Sequence, residues 1–379
     1  MDFDFTEDQE SLRDAVRRWV DKGYDFERRR AIVKAGGFDR GVYAQLAELG
    51  LTGLYVPEEH GGMGFGPVEG MVVMEELGRG LVLEPLAQGA LVAPTALRSA
   101  PQPLQAAWLP RIAGGEALVV LAHQERGARY RLNHVTTAAQ QAGGGWTLSG
   151  AKSIVPAGDQ ADAFIVPARV SGAVDDAQGI ALFLVERQAH GVSTRGYPQQ
   201  DGSRAAEVNF SSSPAALIAG PGEGHAALEL AVDVGIAALC AEAVGAMDKL
   251  LLLTAEYLNT RKQFGVPIGS FQALRHRMAD CKMQLELGRS MSYYATLKLG
   301  EAPAVRRRAI AQAKVQLGRS MRFLGQQSVQ MHGGIGVTDE YIGSHYFKRL
   351  TCIELSFGDT LHHLGEVSAR MQDTAGVFS

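Results

Sequence analysis

The motif Arg261-Lys262-Gln263-Phe264-Gly265 ends a long stretch of helix-forming residues, and Pro267 follows it. An arginine presents a planar set of N–H donors that matches phosphate oxygens, and a neighbouring phenylalanine can cover an aromatic ring. The motif therefore indicates recognition of an anion. A structural interpretation also stays open, in which Arg261 only stabilises the negative end of the helix dipole before a turn.

A second motif, Gln330-Met331-His332-Gly333-Gly334-Ile335-Gly336, ends another helix-forming stretch and contains three glycines. Glycine permits positive φ and allows a ligand to approach bare backbone amides. A simple helix-terminating turn is the alternative interpretation. Neither motif is specific alone, and both depend on the elements that position them.

Those elements follow from the spacing of apolar residues. Helical spacing occupies four stretches in the first part of the chain: 3–22, 39–50, 68–90 and 103–113. Short apolar runs separated by Gly, Asp and Pro clusters then predict an antiparallel β region. Long helical stretches return afterwards: 225–260, 270–298, 303–331 and 338–373.

We therefore predict an α+β multidomain fold. It consists of an N-terminal α-helical domain (1–116), a middle antiparallel β domain (117–222) and a C-terminal four-helix bundle (223–379). The chain of 379 residues is long enough for two or three packed units.

The two motifs in an α, β, α chain of this size resemble the acyl-CoA dehydrogenase superfamily over essentially the whole length. The resemblance includes the stretch 49–62 and the glycine and lysine at positions 150 and 152. It implies that FAD lies between subunits and that both motifs reach the neighbour's cofactor. The residues implied to contact the ADP portion of FAD are Arg261, Phe264, Gln272, Gln330, His332, Gly333 and Gly334.

The resemblance also implies an activity, the α,β-dehydrogenation of an acyl-CoA thioester. In that reaction a carboxylate removes the α-proton and the β-hydrogen leaves as hydride to the flavin. The implied partners are the acyl-CoA substrate, further subunits in a homo- or hetero-oligomer (a dimer or tetramer), and an electron-transfer flavoprotein as acceptor.

The catalytic base is the first departure from the family pattern. The usual Tyr-Glu-Gly-Thr element corresponds to residues 356–359, which places Phe357 at the glutamate position, and the other familiar base position corresponds to Gly235. Two substitutes are candidates. Glu242 lies about two helical turns beyond Gly235 in an apolar run, where burial would raise the carboxyl pKa, and Asp359 lies two residues after Phe357.

Both candidates have structural alternatives, which stay open at this point. Glu242 can be a structural carboxylate paired with an arginine or lysine, or can face solvent. Asp359 can be a loop residue or the N-cap of a helix.

The flavin-facing part of the β domain is the second departure. The segment 123–131 fits the family pattern poorly, and Ile154-Val155-Pro156 replaces the usual Trp-Ile-Thr. Proline lacks an amide donor, and isoleucine cannot stack as an aromatic ring would. One hypothesis covers both departures: the chain is the smaller subunit of a heteromer whose other subunit has a complete flavin pocket and base.

Three other hypotheses remain. The chain can be a homomer that uses Glu242, a non-catalytic structural subunit of a partner acyl-CoA dehydrogenase, or a flavoprotein of the same fold with oxidase or monooxygenase activity. Flavin content and activity alone or with a partner distinguish them.

Composition excludes some other classes of function. A net charge of −4 provides no basic field for nucleic acid, and no residue spacing predicts a metal site. Five charged residues interrupt the apolar stretch 226–254, so no membrane span is expected. Three widely separated cysteines and the lack of a secretory signal pattern favour the cytoplasm.

Overall fold

The computed structural model describes residues 4–371, including all their side chains except that of Ala142. The chain divides into two compact units. The first comprises Met1–Arg30, Pro67–Val82 and Ile236–Ser379, and the second comprises Ala31–Gly66 and Leu83–Gly235.

The first unit is built from helices. The helices that lie in it wholly or in part are α1 (Glu7–Gly23), α2 (Phe26–Ala35), α4 (Pro67–Arg79), α7 (Gly224–Thr260), α8 (Gln272–Leu297), α9 (Pro303–His332), α10 (Ile342–Leu355) and α11 (Thr360–Ala369). Helix α1 begins after a capping box in which the Thr6 hydroxyl accepts from the Gln9 amide and the Gln9 side chain accepts from the Thr6 amide. This reciprocal pairing satisfies two amides at the helix start.

Helices α4 and α7 approach each other at two glycines. A Cβ at Gly245 would lie 1.8 Å from the Glu75 carbonyl oxygen, and a Cβ at Gly78 would lie 2.0 Å from the Glu242 carbonyl oxygen. Only glycine permits this backbone-to-backbone contact.

The predicted continuous helix over 338–373 is wrong, because the chain breaks between α10 and α11. Phe357 and Gly358 have φ values of 56° and 112°, which are outside the right-handed helical region. The side chain of Asp359 then accepts from the His362 amide and begins α11. Turn geometry therefore overrides the helical spacing of the apolar residues.

Three α-helices and a seven-stranded sheet lie wholly in the second unit. The helices are α3 (Arg40–Glu48), α5 (Ala93–Leu97) and α6 (Gln102–Ala113), with a π-helical turn over Ala87–Val92. The strands are β1 (Val119–Leu121), β2 (Ala138–Ala142), β3 (Gly145–Pro156), β4 (Ala163–Arg169), β5 (Ile180–Glu186), β6 (Val192–Pro198) and β7 (Arg204–Ala219).

The strand pairings close on themselves, since β4 pairs with β5, β5 with β7, β7 with β3, β3 with β2, and β2 again with β4. Most pairs are antiparallel, as predicted. The pairs of β4 with β1 and β2 are parallel, because longer segments rather than hairpins connect these strands. The core of the second unit consists mainly of alanine, valine and leucine side chains, with the aromatic rings of Phe164, Phe183 and Phe210 among them.

By length and composition alone, helix α7 is long and apolar enough to cross a membrane, and its most apolar 18-residue window has a mean hydropathy of 1.8. That window is 94% buried inside the protein. A buried helix in the core of a folded domain has the same length and composition, so these properties are weak evidence for a membrane span.

Candidate functional site

The Arg261 motif forms an exposed hairpin in the first unit. Strands β8 (Lys262–Gln263) and β9 (Val266–Pro267) pair antiparallel, and Phe264 and Gly265 form the turn with φ values of 54° and 80°. Two positive φ values are characteristic of a tight type I′ hairpin, where phenylalanine is an unusual occupant. The turn leaves the Phe264 ring 90% exposed, so a large apolar ring projects from the surface.

Arg261 is also exposed, and its amide donates to the Tyr257 carbonyl one helical turn earlier. Gln272 begins α8 in an exposed position, directly after Phe271, whose ring makes an edge contact with Phe264. The hairpin thus places a cationic donor, an amide side chain and an aromatic face at the surface. This is the set of groups that an aromatic phosphate ligand requires.

The second motif ends α9 in the same unit. Gln330, Gly333 and Gly334 are exposed, and Gly333 has a φ of 64°. A Cβ at either glycine would meet nothing within 4 Å, so both offer open space beside the backbone. This turn can therefore accommodate a ligand that approaches the backbone amides of Gly333 and Gly334.

The two motifs are joined by one aromatic contact. The ring centroids of Tyr257 and His332 are 4.6 Å apart; Tyr257 lies one helical turn before Arg261, and His332 directly precedes the glycine pair. Arg277 of α8 also donates to Gln327 of α9 at 2.6 Å. The structure therefore brings together the two motifs that the sequence separates.

His332 differs from the other predicted contact residues because it is only 4% exposed. Its Nδ1 lies 2.8 Å from the Ser328 carbonyl oxygen and its Nε2 lies 2.8 Å from the Tyr341 hydroxyl. Both ring nitrogens of His332 thus have hydrogen-bond partners in this chain, and this geometry favours a structural role for His332 over contact with a ligand.

Glu242 is buried on α7 and bound by Arg349 of α10. The Nε and Nη2 atoms of Arg349 lie 2.5 and 2.8 Å from the two carboxylate oxygens. Such a two-point ion pair is the structural alternative that the sequence leaves open, and the geometry favours it. Glu242 as catalytic base stays a prediction with no support from these contacts.

Asp359 is the N-cap of α11, with its carboxylate 2.8 Å from the His362 amide. This contact corresponds to the capping alternative. The turn before it is fixed by the buried Lys314, whose ammonium donates to the carbonyls of Ile353, Glu354 and Ser356 at 2.6, 3.0 and 2.9 Å. Phe357 therefore stands in a rigid turn.

Family models match nearly all of the chain. The model described as the acyl-CoA dehydrogenase C-terminal domain matches residues 222–372, the N-terminal domain matches residues 6–116, and the middle domain matches residues 121–212. The chain belongs to the acyl-CoA dehydrogenase family. The helical, β and helical domains of that family confirm the predicted fold class and the resemblance.

Two similar members of the acyl-CoA dehydrogenase family come from Mycobacterium tuberculosis. Acyl-CoA dehydrogenase IpdE2 is 31% identical over 345 residues, which cover 90% of this chain and 91% of the relative. Acyl-CoA dehydrogenase FadE12 is 29% identical over 360 residues, which cover 89% and 88%.

Two solved structures of the acyl-CoA dehydrogenase type are also similar. A variant of the Tcur3481-Tcur3483 steroid ACAD matches with a TM-score of 0.88 at 29% identity, covering 98% of this chain and 99% of that one. The ChsE4-ChsE5 complex from Mycobacterium tuberculosis matches with a TM-score of 0.89 at 27% identity, covering 99% and 100%.

Lys152, one of the residues that carries the resemblance to acyl-CoA dehydrogenases, forms a buried ion pair in the second unit. Its ammonium lies 2.7 Å from the carboxylate of Glu125. Burial lowers the pKa of Lys152 to about 8, against the charge of Glu125. Burial alone would raise the pKa of Glu125, but the charge and hydrogen bond of Lys152, together with hydrogen bonds from Thr136, lower it to about 2.

This pair fixes the segment 123–131, which the sequence predicts to depart from the family pattern. Glu125 also accepts from the amide and hydroxyl of Thr137, at 3.0 and 2.8 Å. The neighbouring carbonyl of Gln124 accepts from the Ser153 amide at 2.8 Å. Ile154, next along the chain, has a φ of 53° and is 45% exposed. An exposed isoleucine followed by a proline two residues later supplies neither a stacking ring nor a donor for a flavin ring system.

Three residues of the first unit that contact the candidate site residues are not among those predicted from the sequence. Tyr257 and Tyr341 flank His332, and Arg349 binds Glu242. Only Tyr257 had a usable signal, since it precedes Arg261 by one helical turn. Among residues 4–371, no group of three or more His, Cys, Asp or Glu side chains is placed to hold a metal ion.

Proposed function

We propose that this acyl-CoA dehydrogenase family member binds the ADP half of an FAD shared with an unlike subunit, which supplies the flavin-ring pocket and the base. One observation carries the proposal: the exposed hairpin and the open Gly333-Gly334 pair lie together in one unit, in which the family resemblance makes Phe357 correspond to the base. The groups that would bind ADP are thus present in a chain whose residue at the implied base position cannot accept a proton.

The residues present fit the ADP half of FAD. Arg261 would donate to the pyrophosphate, Phe264 would cover the adenine, and the amides of Gly333 and Gly334 would approach the same portion. Bound FAD would supply the acceptor for the β-hydrogen of the acyl thioester, which leaves as hydride. The role of this chain in that reaction is to bind and orient, because its two candidate carboxylates are an ion-pair partner and a helix cap.

The similar structures support a partner of a different sequence. One is a complex of ChsE4 with ChsE5, and another is a steroid ACAD designated by the pair Tcur3481-Tcur3483. By analogy, we propose a hetero-oligomer for this chain, with a dimer or tetramer as the unit and an electron-transfer flavoprotein as acceptor. Acyl-CoA substrates that carry a steroid ring system are the first class to assay.

The test is FAD uptake by the chain alone and by the chain co-purified with the product of a neighbouring gene. We expect a colourless preparation alone, and a yellow complex that dehydrogenates acyl-CoA together with the partner. Arg261→Ala should reduce FAD retention by the complex, whereas the exposed Arg319→Ala on α9 should retain it. A chain that alone retains one FAD and oxidises acyl-CoA would contradict the proposal.

A further inference from the structure

Three aromatic rings connect the Arg261 hairpin to the Gly333-Gly334 turn. The His332 ring is 4.6 Å from the Tyr257 ring and 4.8 Å from the Tyr341 ring, with interplanar angles of 33° and 46°. The imidazole therefore lies between two phenol rings. Tyr257 belongs to α7, His332 to the last turn of α9, and Tyr341 to the residue just before α10, so three elements of the first unit meet here.

The hydrogen bonds determine how the imidazole is held. A carbonyl oxygen only accepts, so the contact with Ser328 places the proton of His332 on Nδ1. Nε2 of the neutral ring then accepts from the Tyr341 hydroxyl. Burial lowers the pKa of His332 and so favours the neutral ring. Burial, followed by the charge of Glu256, raises the pKa of Tyr341, so its hydroxyl remains a donor.

The position of these rings relates them directly to ligand binding. Tyr257 lies one turn before Arg261, and its carbonyl accepts from the Arg261 amide at 2.9 Å. His332 is bonded covalently to Gly333. A shift of one ring against another would therefore move the guanidinium relative to the glycine amides. An ADP group that contacts both motifs requires that spacing to be fixed before it binds.

We propose that Tyr257, His332 and Tyr341 are positioning residues that fix the Arg261 hairpin against the Gly333-Gly334 turn, so that both motifs bind one ADP group. This inference rests on the proposed function. It also changes the role of His332, which the sequence predicts to line the ligand. The buried imidazole acts through its two neighbours instead, and the exposed residues on either side of the cluster make the contacts.

The decisive variant is Tyr341→Phe in the full chain, assembled with its flavin-binding partner. It retains the ring and removes only the hydroxyl that donates to His332, so the fold is expected to survive. We expect about a tenfold loss of FAD affinity, the equivalent of one charge-neutral hydrogen bond lost at a buried acceptor. The matched control is Tyr294→Phe, which removes a hydroxyl from the surface of α8 and should leave FAD affinity unchanged.

A second pair of variants tests the ring contact. Tyr257→Leu removes the aromatic face and should lower FAD affinity, and Tyr257→Phe should restore it. In both Tyr341→Phe and Tyr257→Leu, turnover at saturating FAD should return to the wild-type rate, because the cluster affects binding of the ADP half and not the chemistry. A general loss of folding would lower turnover at every FAD concentration.

The outcomes separate this inference from the proposed function. Wild-type FAD affinity in Tyr341→Phe and Tyr257→Leu, with a loss in Arg261→Ala, overturns the positioning cluster and leaves the proposed function intact. Wild-type affinity in Arg261→Ala as well overturns both. A lower thermal midpoint with unchanged FAD affinity of the folded complex would assign the cluster to stability alone and would also overturn the inference.

Discussion

Arg349 binds both carboxylate oxygens of Glu242, with Nε 2.5 Å from Oε1 and Nη2 2.8 Å from Oε2. The Glu242 side chain is 5% exposed and the Arg349 side chain is 22% exposed. The pair connects α7 to α10 through a bidentate, charge-assisted contact, which is the strong form of an ion pair. A carboxylate in such a contact is poorly suited to accept a substrate proton.

Replacing Glu242 by glutamine should therefore reduce stability. The variant removes the carboxylate that binds the largely buried Arg349 at two points, and we expect a loss of about 2 to 3 kcal/mol in the free energy of unfolding. Denaturant unfolding measures this loss. The exposed Glu59→Gln is the control and should change stability by less than about 0.5 kcal/mol. Equal stability of the two variants would show that the ion pair is not structural.

The glycine contact between α4 and α7 yields a second prediction. Gly245→Ala would place a Cβ 1.8 Å from the Glu75 carbonyl oxygen, so the helices must separate. We expect a loss of at least about 3 kcal/mol, or failure to fold. The control is Gly365→Ala in α11, where a Cβ would meet nothing within 4 Å and alanine should stabilise the helix by about 0.5 to 1 kcal/mol. Thermal unfolding checks both, and a soluble, fully stable Gly245→Ala protein would contradict the helix contact.

Glu75 makes stability depend on pH. Burial raises the pKa of Glu75 from about 4.5 to about 7. The positive charges of Arg289 and Arg13, each with a nitrogen 3.8 Å from the Glu75 carboxylate, oppose this rise but do not cancel it. The folded state therefore binds more protons than the unfolded state between about pH 4.5 and pH 7, and this contribution to stability is lost as the pH rises through the folded pKa. The difference corresponds to at most about 3 kcal/mol.

Glu75→Gln removes this titration, because glutamine has the shape of the protonated acid. The variant should match wild type near pH 4.5 and become more stable than wild type near pH 8, as measured by denaturant unfolding at both pH values. Glu76→Gln, at the adjacent position, is the variant for comparison. Its carboxylate binds Arg17 and Arg79 at 2.6 and 2.8 Å, so that variant should be less stable than wild type near pH 8. A pH-independent difference for Glu75→Gln would refute the prediction.

Lys314 stabilises the turn before Phe357. Its ammonium is fully buried and donates to three carbonyls at the end of α10, and burial lowers its pKa to about 8. Lys314→Met leaves those carbonyls without a donor and should cost about 3 kcal/mol. Thermal unfolding of this variant and of the control Lys282→Met, at an exposed position, measures the effect. A loss of stability no larger than in the control would show that other contacts hold the turn.

Much of the fold could be predicted from the sequence because its patterns are local. Helical spacing over 225–260, 270–298 and 303–331 corresponds closely to α7, α8 and α9, and the short apolar runs correspond to β4 and β5. The glycines at 333 and 334 predict an open turn, which the backbone forms. These features depend on residues within a few positions of each other.

The contacts that decide the roles of the candidate residues could not be predicted, because they join distant parts of the chain. Arg349 lies 107 positions from Glu242, and no local pattern relates the two. The contact of Tyr257 with His332 likewise requires the packing of α7 against α9. The break at Phe357 was missed because a positive φ at phenylalanine is uncommon, so the apolar spacing alone indicated one helix.

The central claim is that this chain binds a shared flavin and that the base belongs to its partner. The most direct measurement is anaerobic bleaching of flavin absorbance by acyl-CoA, in the complex that contains Glu242→Gln and Asp359→Asn in this chain, with the rate expressed per bound FAD. Asparagine is itself a good N-cap, so α11 should remain intact. We predict the wild-type bleaching rate. Loss of bleaching in a folded, FAD-loaded complex would contradict the claim and would assign the base to this chain.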